Sequence, residues 1–403
     1  MDGESLNATV SFRDGQGRRH QIWFLDALSA HNQLARIPLD RIGGVAIWPV
    51  SGGDPGVWEL LAPGLAGAAP APFLLQDVRP ADHVRYTGKG PLLTVETTAA
   101  PGQRLVSADP ESGLIAHVDY VALPRAFTIA LSGDMPENSV IFTFDDGPSR
   151  AYTPRILDIL KEHDAPAVFF VVGSRVQSEP EIARRIVEEG HELGVHTYSH
   201  PNIADVSDLR LTLELHATQE LIQNVSGQNT NLFRAPYGFD ENPETPDEAR
   251  VLSLLSKERY VVVGIEIDSS DWTRPGADKI VETVTDLVKQ NAGSVILFHD
   301  AGGDREQTIQ ALPEIIAELR DAGVSIVSLA SITGQSALPG PTGAAEAPNQ
   351  LSGFSFWLIR AVQSAVTAIF VFVIAVGIIR SLIILALALI KERRVHQSCL
   401  LYT

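Results

Sequence analysis

Residues 140–148 read VIFTFDDGP, a short apolar run that ends in two adjacent carboxylates and a turn. The apolar run predicts a buried strand over 140–144, and Asp-Asp-Gly-Pro is favourable turn chemistry. Two adjacent carboxylates at the end of a buried strand cost free energy unless they find partners. The stretch therefore predicts either a simple turn or one edge of a polar site.

Apolar runs and segments of helical spacing alternate downstream of this stretch. Further strands are predicted over 167–172, 192–196, 260–267, 294–298 and 324–329. The intervening helices are predicted over 153–163, 181–189, 208–224, 277–290 and 307–322. Such alternation predicts an α/β fold with a parallel sheet or barrel, in which active sites lie at the carboxyl ends of the strands.

Two histidines follow the strand predicted over 192–196, as His196 and His200 of HTYSH. The H-x-x-x-H spacing allows two imidazoles to reach one ion, although such a pair is often without function when it stands alone. Together with one carboxylate of Asp145 and Asp146, the pair would form a hydrolytic metal set with an open position for water.

Three more polar clusters follow apolar runs. Arg234 begins RAPYG, whose Pro and Gly shape a loop that would expose a backbone N–H. Asp268 and Asp271 lie in DSSDW, and His299 and Asp300 end ILFHD. A lone histidine at a strand end is usually structural. Five polar clusters at the strand ends of one α/β unit instead predict an active site.

These five motifs resemble, in order, those of the polysaccharide deacetylase family, also called the NodB-homology or carbohydrate esterase 4 family. The resemblance covers about half of the chain and departs from the family pattern only at Ile296, where Leu is usual. It implies a distorted (β/α)7 barrel of the NodB type over residues 136–333. It also implies metal-dependent removal of acetyl groups from an N-acetylglucosamine polymer or oligomer, which releases acetate.

The resemblance further implies roles for the motif residues. Asp146, His196 and His200 would hold a divalent metal ion, zinc first, with cobalt and nickel as alternatives. Asp145 would be the general base, and Arg234 would pair with it and keep it oriented.

The same resemblance assigns the acid and the substrate pocket. His299 would be the general acid, kept protonated by Asp271 together with Asp268. The backbone N–H of Tyr237 would stabilise the oxyanion together with the metal. The side chains expected to line the substrate pocket are those of Tyr237, Trp272 and Ile296.

The ends of the chain have a different character. Residues 1–62 resemble the end of a family 18 glycoside hydrolase-like (chitinase-like) barrel, a β-rich TIM-barrel remnant without that family's catalytic motif, and 63–135 read as a linker with a small β-rich region. Residues 361–379 carry no charge, which predicts a transmembrane helix over 354–390 after a linker over 334–353, with a buried core helix as the alternative. The basic KERR cluster over 391–394 predicts a cytoplasmic tail over 391–403.

We therefore expect a single-pass protein of the cell membrane with an extracytoplasmic catalytic domain, although no signal peptide is visible at the N-terminus. The arrangement resembles a fragment of bacterial deacetylase–glycosyltransferase fusion proteins. The net charge of −18, from 31 basic and 49 acidic residues, argues against a nucleic acid partner. Cys399 is the one cysteine, so no intrachain disulfide is possible.

Other interpretations of the sequence stay open. The chain could be a non-catalytic, membrane-tethered carbohydrate-binding domain, a hydrolase of another, non-peptide amide, or a poorly folding fragment. The motifs do not distinguish chitin oligomers, poly-N-acetylglucosamine and peptidoglycan, and they do not predict an oligomeric state.

Overall fold

The computed structural model describes residues 7–37, 54, 56–58, 75–80, 83–238, 242–333 and 369–384. The chain divides into two compact units, residues 1–344 and residues 345–403. The described part of the second unit is a helix over 369–384. The predicted linker over 334–353 and tail over 391–403, including Cys399, lie outside the described residues.

Among the described residues, no helix combines the length and the apolarity that are needed to cross a membrane. The predicted transmembrane helix over 354–390 is therefore not supported. Residues 354–368 and 385–390 of that predicted helix lie outside the described part of the chain.

The first unit contains both strands and helices. The strands, in chain order, are β1 (Ala8–Arg13), β2 (Arg19–Phe24), β3 (Asp77–Val78), β4 (Arg85–Gly88), β5 (Leu92–Thr97), β6 (Gly102–Ala108), β7 (Ile115–Ala122), β8 (Thr128–Ser132), β9 (Ser139–Asp145), β10 (Ala167–Val171), β11 (Glu192–Val195), β12 (Leu232–Phe233), β13 (Val261–Val263), β14 (Ile267–Asp268), β15 (Val295–His299) and β16 (Ser325–Ile326). The helices are α1 (Ala27–Ala35), α2 (Thr153–Glu162), α3 (Gly173–Ser178), α4 (Pro180–Glu188), α5 (Asp208–Ser226), α6 (Arg250–Lys257), α7 (Ala277–Lys289), α8 (Glu306–Asp321) and α9 (Ala330–Thr333). Short 3-10 turns lie at Pro236–Gly238 and Asp271–Thr273.

One large sheet organises this unit. Its central part is a parallel run in the order β14-β15-β9-β10-β11-β12-β13. Helices lie in the connections between these strands, except in the short one from β13 to β14. The predicted α/β fold with a parallel sheet is thus confirmed. The hydrogen-bonded order ends at β14 on one side and continues from β13 into β5 on the other, so within the described residues the run does not close on itself.

The central strands are buried along their whole length, which explains their unbroken apolar sequences. All residues of β9 and of β10 are buried, as is usual for strands of a parallel sheet. The ring of Phe144 stacks on those of Phe169 and Phe298, at centroid distances of 5.0 and 5.5 Å. In the register of β9 and β15, Asp145 lies opposite His299, which brings two of the predicted site residues together.

The prediction of one continuous strand over 260–267 is wrong. These residues supply β13 and β14, which lie at opposite ends of the parallel run. The break falls at Gly264, whose N–H donates to the carbonyl of Pro91 and whose carbonyl accepts from Nη2 of Arg234 at 3.2 Å. Both contacts direct main-chain groups of Gly264 away from the parallel ladder, so the strand cannot continue.

Residues from the predicted linker and β-rich region over 63–135 extend the same sheet. β5 pairs antiparallel with β13, and β8 and β4 follow in order. β3, β6 and β7 form a separate sheet, and β1 pairs with β2. A small core joins α1 to this region through Ala27, Leu28, Ala30, Val57, Leu75 and Ile115. The other parts of the predicted family 18-like segment, residues 1–6, 38–53, 55 and 59–62, lie outside the described residues.

Candidate active site

A cavity of about 620 Å³ opens at the carboxyl ends of the parallel strands. Each of the five polar clusters contributes to its wall. The lining residues lie near the carboxyl ends of β9, β10, β11, β12, β14 and β15 or in the segments that follow these strands. They are Asp145, Asp146, Val172, Arg175, His196, His200, Ala235, Tyr237, Gly238, Asp268, Trp272, Leu297, His299, Gly302 and Arg305.

One carboxylate and two imidazoles converge on this wall. Oδ1 of Asp146 lies 3.0 Å from Nε2 of His200 and 3.6 Å from Nε2 of His196. One donor atom from each of the three side chains lies within 4.8 Å of the other two. Two nitrogen donors and one oxygen donor that share one point suit a divalent ion and leave a coordination position open. The three side chains therefore fit a hydrolytic metal centre.

A backbone contact orients His196 for this purpose. Its Nδ1 lies 2.8 Å from the carbonyl oxygen of Arg234. Because a carbonyl only accepts, Nδ1 carries the hydrogen and Nε2 keeps its lone pair toward Asp146 and His200. The backbone of Asp146 adopts a positive φ of 78°, which turns its side chain out of the strand direction of Asp145.

The carboxyl group of Asp146 is held in its ionised form. Burial raises the pKa of Asp146, but hydrogen bonds with His196 and His200 oppose it, and the net pKa lies well below the usual range. Gly302, at a positive φ of 75°, lies against this carboxylate. A Cβ at that position would overlap Oδ2 of Asp146, so the close approach requires glycine.

Asp145 lies at the end of β9 and pairs with a buried arginine. Nη1 of Arg234 donates to Oδ1 of Asp145 at 3.0 Å and to Oγ1 of Thr143 at 2.6 Å. Nε and Nη2 of the same guanidinium donate to the carbonyls of Val263 and Gly264, each at 3.2 Å. Arg234 is 1% exposed, and its hydrogen bonds compensate for that burial. The result is a carboxylate held rigidly at the cavity wall.

At the end of the neighbouring strand β15, His299 pairs with Asp271. Nδ1 of His299 lies 2.7 Å from Oδ1 of Asp271, whose Oδ2 accepts from the backbone N–H of His299 at 2.9 Å and from Oγ1 of Thr308 at 2.8 Å. Burial lowers the pKa of His299. The hydrogen bond and charge of Asp271, together with the charges of Asp145 and Asp146, outweigh this effect, so the net pKa is raised. The imidazole is therefore suited to hold a proton near neutral pH.

Asp268 makes different contacts. Its Oδ1 accepts from the backbone N–H of Ser270 at 2.7 Å, and its Oδ2 accepts from the indole Nε1 of Trp272 at 3.3 Å. Within the described residues, no hydrogen bond joins Asp268 to His299. Asp271 is thus the carboxylate that contacts His299, while Asp268 orients an aromatic ring at the cavity rim.

A family model for polysaccharide deacetylase matches residues 132–254. A peptidoglycan-N-acetylglucosamine deacetylase of Bacillus cereus is 36% identical over 208 residues, which cover 51% of this chain and 72% of that protein. A chitooligosaccharide deacetylase of Sinorhizobium fredii is 36% identical over 224 residues, which cover 53% of this chain and 97% of that protein. The chain belongs to the polysaccharide deacetylase family. A solved family 4 carbohydrate esterase from Streptomyces lividans, in complex with acetate, is 31% identical, with a TM-score of 0.43 and coverage of 50% and 98% of the two chains.

The match to the polysaccharide deacetylase family model includes Asp145, Asp146, His196, His200 and Arg234, and it ends before Asp268. Because the model match begins at residue 132, the predicted family 18-like segment over 1–62 lies outside it and finds no support.

In this polysaccharide deacetylase, Tyr237 lies in the 3-10 segment Pro236–Gly238 and adopts a positive φ of 65°. Its side chain is 73% exposed, and its ring meets that of His200 edge to face at 4.8 Å. Tyr237 and Trp272 thus both border the cavity with exposed aromatic rings.

The prediction that Ile296 lines the substrate pocket is wrong. Ile296 is fully buried in β15, and the cavity is lined instead by Leu297 and His299. Successive side chains of a strand point to opposite faces, so residues two apart share a face and Ile296 points away from the one that bears His299.

Several residues at the site were not predicted from the sequence. Thr143 and Thr308 bind the buried charges, and Arg175 and Arg305 line the cavity. Thr143 lies two positions before Asp145, so strand alternation was a usable signal for it. The other three lie on helices or beside one, and no local pattern indicates which of their faces meets the cavity.

Proposed function

We propose that this protein hydrolyses the N-acetyl group of N-acetylglucosamine units in a polysaccharide or oligosaccharide, releasing acetate and leaving glucosamine. The observation that carries this proposal is the convergence of one metal-donor set and two charged pairs on one cavity. The donor set is Asp146, His196 and His200, and the two charged pairs are Asp145–Arg234 and His299–Asp271. The relatives named as peptidoglycan and chitooligosaccharide deacetylases support the same reaction and substrate class.

The two charged pairs divide the proton transfers. Asp145, held by Arg234, takes a proton from the water that attacks the acetamide carbon. His299, protonated through Asp271, gives a proton to the leaving nitrogen as the C–N bond breaks. The products are acetate and the free amine. The two groups act as base and acid because their neighbours differ in charge.

The developing oxyanion also needs stabilisation. The backbone N–H of Tyr237, which borders the cavity, would donate to this oxygen. A zinc ion held by Asp146, His196 and His200 would supply Lewis acidity at the same carbonyl. Zinc suits a tetrahedral site of two imidazoles and one carboxylate, and cobalt or nickel accept the same donors.

Two other functions make different predictions. A non-catalytic carbohydrate-binding domain would not need the base, the acid and the metal donors together in one cavity. A hydrolase of another amide would keep all of these groups but reject N-acetylglucosamine oligomers. Substrate turnover separates the three cases.

The test is acetate release by the purified full chain from N-acetylglucosamine oligomers, after chelation and after zinc, cobalt or nickel is added back. We expect release that depends on added metal and is lost in Asp146→Ala. The exposed Asp321→Ala variant serves as the matched control and should retain activity. A folded, zinc-loaded protein that releases no acetate from chitin or peptidoglycan oligomers would favour another amide or a binding role.

A further inference from the structure

Two arginines line the catalytic cavity and have no part in the proposed chemistry. Arg175 lies on α3 and is partly buried, and Arg305 precedes α8 and is 4% exposed. Nε of Arg305 donates to the carbonyl of Ala301 at 2.6 Å. Across the described part of the chain, no carboxylate oxygen lies within 4.0 Å of the side-chain nitrogens of either arginine.

The other deeply buried arginines have carboxylates beside them. Arg234 pairs with Asp145, and Arg104 lies 3.8 Å from carboxylate oxygens of both Asp26 and Asp54. A buried cation loses its hydration and gains from an anion in contact with it. The chain contains 49 acidic residues, yet among the described residues no carboxylate oxygen lies within 4.0 Å of the side-chain nitrogens of Arg305. An anion in direct contact with Arg305 would therefore come from a ligand in the cavity.

The position of Arg305 places this charge near the proposed reaction. Its guanidinium lies over Gly302 and Gly303, where added Cβ atoms would be 3.4 and 3.5 Å from Nη2. Gly302 also lies directly against Oδ2 of Asp146. The loop of two glycines thus packs between a metal-donor carboxylate and an arginine on the same cavity wall.

We propose that Arg175 and Arg305 form a subsite for a carboxylate, an inference that rests on the deacetylase function proposed above. The planar guanidinium matches a carboxylate in a fork of two hydrogen bonds. Two sources supply this group. One is an acidic substituent on a sugar next to the reacting N-acetylglucosamine, and the other is the acetate that the reaction itself releases into this cavity.

The test compares two saccharides that differ only at the carboxylate. The first carries N-acetylglucosamine beside a sugar with a lactyl carboxylate, and the second is the same saccharide with that group converted to its carboxamide. The zinc-loaded full chain and its Arg175→Gln, Arg305→Gln and Arg305→Lys variants are assayed for kcat and KM with both. Inhibition by added acetate is measured for the same four proteins.

If the sugar carboxylate is the ligand, the Gln variants should lose about 10- to 100-fold in kcat/KM on the acidic saccharide through KM, with little change on the carboxamide. If acetate is the ligand, inhibition by acetate should weaken by a similar factor, and the two saccharides should be affected alike. Arg305→Lys should recover part of either effect because it keeps the charge. Equal effects on both saccharides together with unchanged acetate inhibition would overturn the subsite.

Arg184→Gln is the matched control, since Arg184 lies on α4 in an exposed pair with Glu181 and outside the cavity. Circular dichroism identifies any variant that fails to fold, and the partly buried Arg175 then carries the test. If the wild-type chain releases acetate neither from these saccharides nor from N-acetylglucosamine oligomers, the proposed function fails. Calorimetric binding of the acidic saccharide, compared with its carboxamide, then decides the subsite separately: a preference that Arg175→Gln removes supports it, and equal binding overturns it.

Discussion

The carbonyl oxygen of Arg234 lies 2.8 Å from Nδ1 of His196, while the guanidinium of the same arginine donates to Asp145 at 3.0 Å. One residue therefore orients a donor of the proposed metal centre through its backbone and the proposed base through its side chain. The two functions are separable by mutation, because a substitution removes the guanidinium and leaves the carbonyl in place.

Replacing Arg234 with methionine should destabilise the fold by about 3–5 kcal/mol, because Asp145 would remain buried without its cation. Denaturant unfolding measures this loss, and Arg184→Met, at an exposed ion pair, should cost less than about 1 kcal/mol. Zinc affinity in Arg234→Met should fall by less than the ~10- to 100-fold typical of a lost outer partner, because the carbonyl remains. A stability loss as small as that of the control would contradict the structural role of the pair.

Asp145→Asn and His299→Ala should each lower kcat by about 10²- to 10⁴-fold, since each removes one proton-transfer group. Asparagine keeps the shape of the side chain that Arg234 contacts, so zinc binding and the fold should be retained in Asp145→Asn. The measurement is steady-state acetate release, with Asp321→Asn on the exposed end of α8 as the control. Wild-type turnover in either site variant would exclude the corresponding assignment.

Asp271→Asn should shift the alkaline limb of the pH profile of kcat/KM to lower pH. Burial lowers the pKa of His299, and the Asp271 carboxylate is the main group that raises it above its ordinary 6.5. Without that carboxylate the imidazole loses its proton at lower pH. Asp268→Asn is the matched control and should leave the limb in place, because Asp268 bonds to Ser270 and Trp272. A limb that moves equally in both variants would show that general charge, not the contact, sets this pKa.

Asp300→Asn should remove part of the pH dependence of stability. Burial raises the pKa of Asp300 from 3.8 to about 7, against the hydrogen bond from Thr153, whose Oγ1 donates to Oδ2 at 2.5 Å. Between these values the folded state keeps a proton that the unfolded state has released. The free energy of unfolding therefore falls as pH rises through this window, by up to about 1.4 kcal/mol per pH unit.

The neutral asparagine does not titrate, so the variant should gain stability relative to the wild type from pH 4 to pH 8. Denaturant unfolding of both proteins at several pH values measures the difference, and other titrating groups common to both cancel. A difference that is constant with pH would mean that Asp300 is ionised in the folded protein throughout.

Local sequence was sufficient for the parts of the fold that depend on continuous burial or helical spacing. The strand predicted over 140–144 is β9, and the helix predicted over 208–224 is α5, with a Ser207 side-chain cap and Gly227 in the left-handed region at its end. Local sequence did not predict the division of the segment over 260–267 into two strands. This division into β13 and β14 depends on the contacts of Gly264 with Pro91 and Arg234, which are distant in sequence.

For the site, the sequence by itself determined which side chains follow strands, because apolar runs and the polar residues after them are adjacent in the chain. It brought Asp145, Asp146, His196, His200 and His299 into consideration for this reason. Only the tertiary structure decided what each one touches. Packing between segments far apart in sequence sets the register of β9 and β15 and directs Leu297 rather than Ile296 to the cavity. The same packing buries Arg305 with no carboxylate oxygen of the described residues within 4.0 Å of its side-chain nitrogens. Those contacts form only when the sheet assembles, so no local pattern encodes them.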